Sequence, residues 1–140
     1  MPSAHLDPND PACVCVAVRK ASRRLTASYD EALVPAGINL AQFSLLRNIA
    51  RHQPVSLTGL ADIMELDRST LGRNVRVLER DGLVKASPGR DQREAAVELT
   101  DSGAATLDLA TLLWRDVQTR IYGKLGESRA QQLAELLADL

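Results

Sequence analysis

The sequence is poor in aromatic residues, with one Trp, two Tyr and one Phe among 140 residues. Its interior must therefore be assembled from Leu, Val, Ile and Ala, which suits packed helices. Cysteine is equally scarce. Cys13 and Cys15 cannot make a disulfide scaffold, and two residues apart they would bridge each other with difficulty, so reduced thiols in a cytoplasmic protein are expected. The only histidines, His5 and His52, are far apart, and four ligands at zinc spacing are absent, so no metal and no cofactor is expected. The apolar run at 12–18 is far too short to span a membrane, and the first residues lack the basic and apolar regions of a secretory signal. No membrane partner is expected. Nor does one sign of charge dominate. The 17 Lys and Arg face 18 Asp and Glu, and a net charge of −1 excludes a generic polycation.

Apolar residues make up 45% of the chain, enough for a real core and for one domain with extended arms. The small net charge hides an uneven distribution. Residues 1–67 net −1, residues 68–93 net +4 and residues 94–140 net −4. A short basic segment inside an acidic chain has the form of a polyanion-binding surface, although a solvated helix face would look the same by charge alone.

Residues 1–11 hold three prolines and no periodicity, and read as a flexible arm. A helix over about 12–34 follows, with a narrow stripe at Val14, Val18, Ala21, Leu25 and Ser28; Pro35 and Gly37 end it. Asn39 caps a second helix at about 40–51, carrying Phe43, Leu46, Ile49 and Ala50. Ser56 caps a short helix at 57–64. After a turn at Glu65 and Leu66, Asp67 caps a helix at 68–80 whose buried side is Leu71, Val75 and Leu78, and Gly82 closes it. The period then changes to two. Residues 83–87 and 95–99 read as a small hairpin whose tip is the polar segment following Pro88 and Gly89. Thr100 caps a long helix at about 101–124, and a last helix at about 127–138 carries Leu133, Leu136 and Leu137. No repeat or low-complexity tract interrupts this order.

The pattern is mainly α with a small β-hairpin wing: a winged helix-turn-helix at 39–100, flanked by an N-terminal dimerisation helix at 12–38 and C-terminal dimerisation helices at 101–140. So small a domain cannot cover the outer helices, whose apolar stripes ask for a second copy of the chain in a symmetric homodimer. A long intramolecular helical hairpin is the alternative.

The residues in this order resemble the MarR (multiple-antibiotic-resistance regulator) family of bacterial transcription factors. The likeness runs closely over about residues 40–103 and loosely beyond. It rests on Gln42-Phe43-Ser44-Leu45-Leu46, Leu66-Asp67-Arg68-Ser69-Thr70-Leu71, Leu78-Glu79-Arg80-Asp81-Gly82-Leu83-Val84, the Asp91-Gln92-Arg93 wing and Leu99-Thr100-Asp101-Ser102-Gly103. The combination is specific where no single block would be. The resemblance implies a dimer that binds double-stranded operator DNA as an imperfect palindrome, usually represses, and is often released by a small aromatic or phenolic effector. Two positions depart from the pattern. Gly59 replaces an acidic residue that would complete a capping box, and Gly72 lies inside the fourth helix, at a cost of about 1 kcal/mol relative to Ala.

In that frame Arg68, Ser69, Thr70, Arg73 and Asn74, in the first two turns of the fourth helix, are the candidates for the major groove. Arg73 suits guanine, Asn74 suits adenine, and the two hydroxyls suit phosphates or base edges. Arg90 and Arg93 on the wing suit a narrow minor groove, with Asp91 holding an arginine in place. Tyr29 and Trp114 are candidate walls of an effector cavity, although either suits a core equally well. Arg19 or Arg23 would hold a carboxylate or pair with acidic residues of the last helices. Cys13 and Cys15, at the start of a helix, are candidate redox sensors or small hydrophobes. Two other function classes compete: a winged-helix protein-interaction module, against which the basic segment counts, and an enzyme, for which there is no nucleophile–base–acid set and no phosphate loop.

Overall fold

The computed structural model describes Asp7, residues 13–88 and residues 95–140. Six helices and three short strands follow one another in these segments: α1 (Val14–Leu33), α2 (Leu40–His52), β1 (Val55–Ser56), α3 (Leu57–Met64), α4 (Arg68–Arg80), β2 (Val84–Ser87), β3 (Ala96–Leu99), α5 (Asp101–Leu125) and α6 (Glu127–Ala138). A single 3-10 turn, Val34–Ala36, links α1 to α2, with Gly37 in the left-handed region at φ 73°.

The helix boundaries follow from side-chain caps, which satisfy backbone N–H groups that no helical carbonyl can reach. Asn39 and Gln42 make a reciprocal capping box, each side chain accepting from the other's backbone N–H at 2.9 Å. Ser56 Oγ accepts from the Gly59 N–H at 3.0 Å, so α3 is capped even though Gly59 cannot complete a box. Thr100 Oγ1 accepts from the Gly103 N–H at 3.0 Å and donates to the Gly82 carbonyl at 2.6 Å. That second bond ties the start of α5 to the end of α4.

The hairpin is wider than the sequence suggests. β1 joins it on the far side of β3, making a three-stranded antiparallel sheet in the order β1-β3-β2, with Val55 opposite Val97 and Val84 opposite Leu99. A two-residue strand shows no alternation of its own and exists only through its partner. The Gln53 side chain adds to the edge by accepting from the Leu99 N–H at 2.9 Å.

The core lies in the winged domain. Phe43, Leu45, Leu46 and Ile49 of α2 meet Leu60 of α3, Leu71, Val75 and Leu78 of α4, and Val84 and Val97 of the sheet. Leu33 from the end of α1 and Ala110 from α5 complete it. Gly103 marks the closest approach: a Cβ there would stand 1.9 Å from the Leu83 carbonyl oxygen. The glycine of the Leu99–Gly103 block is thus a packing requirement, the point where α5 crosses the strand that leaves α4.

The outer helices differ. α1 packs on α5 and α5 on α6, but the stripe Val14, Val18, Ala21, Leu25 and Ser28 is exposed along its whole length. Leu133, Leu136 and Leu137 of α6 are exposed too. Between α1 and α6 runs an almost wholly apolar groove of about 610 Å³, walled by Val18, Leu25, Tyr29, Leu133 and Leu137.

Candidate nucleic-acid interface

The start of α4 is fixed by one carboxylate. Asp67 accepts three hydrogen bonds: the Thr70 N–H at 2.8 Å, the Ser69 hydroxyl at 2.6 Å and the Thr70 hydroxyl at 2.6 Å. The Ser69 hydroxyl, then the two bonds from Thr70, and then the nearby Arg73 hold the Asp67 carboxyl far below the usual carboxylate range. Arg73 in turn reaches back, its Nη2 donating to Thr70 Oγ1 at 3.4 Å. Ser69 and Thr70 therefore spend their hydroxyl protons on the helix start. They remain able to accept, but a phosphate contact from either would have to come after Asp67 lets go.

Leu71, Val75 and Leu78 bury one side of α4 and so aim the other side outward. Arg68, Ser69, Gly72, Arg73 and Arg76 lie on successive turns of that outer side and, with Leu57 of α3, shape an open depression of about 530 Å³. Arg68, Arg73 and Arg76 are all exposed. Three guanidinium groups on one helix face give a concentrated positive patch able to take phosphate oxygens or guanine edges. Arg76 was not among the residues expected to meet DNA; its place one turn beyond Arg73 in the basic segment is the sequence signal for it.

Asn74 is turned away from this depression. It lines a smaller cleft of about 230 Å³ with Asn39 and Gln42 at the start of α2. Arg90, Asp91 and Arg93 lie outside the described residues. At the base of the wing Lys85 and Glu98 face each other across β2 and β3, with Nζ to Oε1 at 3.5 Å.

The candidate effector residues occupy separate places. Tyr29 lines the apolar groove and its hydroxyl donates to Gln118 Oε1, joining α1 to α5. Burial, and then the neighbouring Tyr122, raise its pKa. Trp114 lies at the margin of the core, its ring 6.0 Å from that of Phe43. Arg47 is an unforeseen third member. Its guanidinium carbon stands 5.6 Å from the Phe43 ring centre and 5.8 Å from that of Trp114, and its Nε is buried without a hydrogen-bond partner. The spacing of Phe43 and Arg47, one helical turn apart, was the available signal. Arg19 and Arg23 are exposed on α1. Cys13, at the N-cap of α1, and Cys15 are free and exposed thiols.

A winged helix-turn-helix that presents an exposed arginine face on its second helix defines a class of protein built to meet nucleic acid. Comparison with known proteins narrows the class. Residues 36–94 match the family model described as MarR family. The chain is 31% identical to the HTH-type transcriptional repressor NicR of Pseudomonas putida over 121 residues, 86% of this chain and 77% of NicR. Among solved structures it is similar to the M. tuberculosis transcriptional regulator MosR in complex with DNA, with 38% identity, a TM-score of 0.76, and coverage of 89% of this chain and 92% of that one. It is also similar to the transcriptional repressor CouR bound to a 23-mer DNA duplex, with 26% identity, a TM-score of 0.84, and 91% of both chains covered. The chain belongs to the MarR family and is a winged-helix transcription regulator. No described helix is long and apolar enough to cross a membrane.

Proposed function

We propose that the protein acts as a homodimer that sets its two α4 helices into major grooves of an imperfect palindromic operator, represses the genes it covers, and lets go when a small aromatic or phenolic molecule binds. The observation that carries this reading is the outer face of α4, where Arg68, Arg73 and Arg76 project from a helix whose start is held by Asp67. Half-site centres lie about one helical turn, roughly 10 bp, apart. Arg73 reads guanine, Asn74 reads adenine from the flank of α4 nearer α2, and Arg90 and Arg93 reach the flanking minor groove with Asp91 bracing the wing. NicR is named a repressor, and MosR and CouR have been solved on DNA, which supports the same role here.

The segments 12–38 and 101–140 form the dimerisation region around the winged domain 39–100, since their uncovered apolar side chains are what a second copy would cover. CouR has also been solved with p-coumaroyl-CoA. A comparable aromatic acid is read here as the effector, and the fold offers two separate places for its ring: the apolar groove at Tyr29, with Arg19 or Arg23 on the same helix for its carboxylate, and the margin of the core at Trp114, with Arg47 beside it. It must bind the DNA-incompetent spacing of the dimer more tightly, or it shifts nothing. The protein acts in the cytoplasm and has no enzymatic activity in this reading.

A second trigger is favoured by one observation, the exposure of both thiols. A hydroperoxide would oxidise Cys13 or Cys15 to the sulfenic acid and leave as the alcohol. A gel shift on DNA from upstream of the gene separates the two. Release by an aromatic acid, with a change in the emission of the single tryptophan, supports the ligand. Release by peroxide from the wild type, but not from the Cys13→Ser, Cys15→Ser double variant, assigns the trigger to the thiols.

A further inference from the structure

Gly72 is the position on the arginine face that the fold does not explain. Gly82 takes up φ 75°, a conformation that favours glycine, and Gly103 has no room for a side chain. Gly72 has neither reason. It sits inside α4, and a Cβ built on it meets no heavy atom within 4 Å. The helix would gain from alanine here, because glycine gives up more backbone freedom on folding and propagates a helix poorly. The open space above Gly72 is the depression bounded by Arg68, Ser69, Arg73 and Arg76.

We propose that Gly72 is a clearance residue for operator DNA, and so a determinant of specificity. This deepens the DNA-binding reading and rests on it. With no side chain at the centre of the reading face, the backbone of α4 can lie close against base-pair edges in the major groove. Arg68 and Ser69 on one side and Arg73 and Arg76 on the other then face one short stretch of the groove. A methyl group at position 72 projects into the floor of the depression. It holds the helix further out, and the short, directional contacts to base edges fail. Contacts to phosphates, carried by long arginine side chains, adapt. The fold and the reading task therefore ask for opposite residues at this position.

Gly72→Ala separates these demands, because the two effects have opposite sign. Wild-type protein is first used to select a duplex from a random pool. Affinities for that duplex and for a scrambled duplex of the same composition are then measured at one salt concentration. The expected result is a Tm higher by about 3 °C, affinity for the selected duplex lower by about tenfold or more, and affinity for the scrambled duplex changed by less than about twofold, since that binding is carried by phosphate contacts. Gly72→Ser should show the same loss of discrimination. Unchanged or tighter binding of the selected duplex by Gly72→Ala overturns the proposal, and so does a lower Tm, which would mean that the helix itself needs the glycine. If the wild type selects no consensus sequence at all, the DNA-binding reading fails, and this inference with it.

Discussion

The two halves of this molecule solve the burial problem differently. The winged domain closes on itself: Phe43, Leu46, Ile49, Leu60, Leu71 and Leu78 are essentially inaccessible to water. The outer helices do not. α6 buries only Ala130, and α1 only Leu33, which belongs to the winged core. Leu136 is 66% exposed and Val14 64%. Apolar side chains left in water on two helices that pack on the same scaffold are a request for a partner, because each buried CH2 is worth about 0.8 kcal/mol. In the proposed dimer, a reading head with a closed core joined to a frame that a second copy covers is an arrangement in which a small molecule could alter the spacing of the heads without altering the heads.

The largest test of this contrast is removal of residues 127–140. It deletes the exposed leucines and uncovers α5, and the expected product aggregates or fails to fold on a sizing column. A soluble, well-folded monomer would break the contrast, because the frame would then need neither α6 nor a partner. Phe43→Ala strikes the other half. It leaves a cavity in a closed core and should cost about 3–5 kcal/mol in denaturant unfolding at any protein concentration. Gly103→Ala addresses the joint between the halves. The new methyl would overlap the Leu83 carbonyl oxygen, and the resulting displacement of α5 should cost about 1–3 kcal/mol or more, visible as a lower Tm.

The smallest expected effect is at Asp67. Its carboxyl has a folded-state pKa below the unfolded value, so its contribution is present above the unfolded pKa and is lost as pH falls from there toward the folded value. Asp67→Asn should lower Tm slightly at neutral pH. The difference from wild type should narrow as pH falls below about 4. A gap that stays constant over that range would show that the ionised carboxylate is not what caps α4.

Most of the fold was legible because its boundaries are chemical. Asn39, Ser56, Asp67 and Thr100 each stand one residue before a helix and each accept the bond expected of a cap. β1 was not legible, since a two-residue strand is defined by Val97 and Ala96 some forty residues later. The reading face was half legible. The run of arginines predicts a basic helix, but which of them share a side depends on the core that orients it. Arg76 thus joins Arg68 and Arg73, while Asn74 turns toward α2. The contact of Arg47 with Trp114 could not be read at all, because α5 brings the ring there from across the fold.

In the proposed role the exposed arginine face of α4 reads DNA as part of a dimer. Fluorescence anisotropy of a labelled operator duplex, titrated with protein over a range of salt and repeated with scrambled duplex, tests it most directly. The expected result is two chains per duplex, clear preference for the operator, and affinity falling steeply with salt, at a log–log slope of about −0.9 for each phosphate neutralised. Equal binding of the two duplexes, or an affinity indifferent to salt, would contradict it.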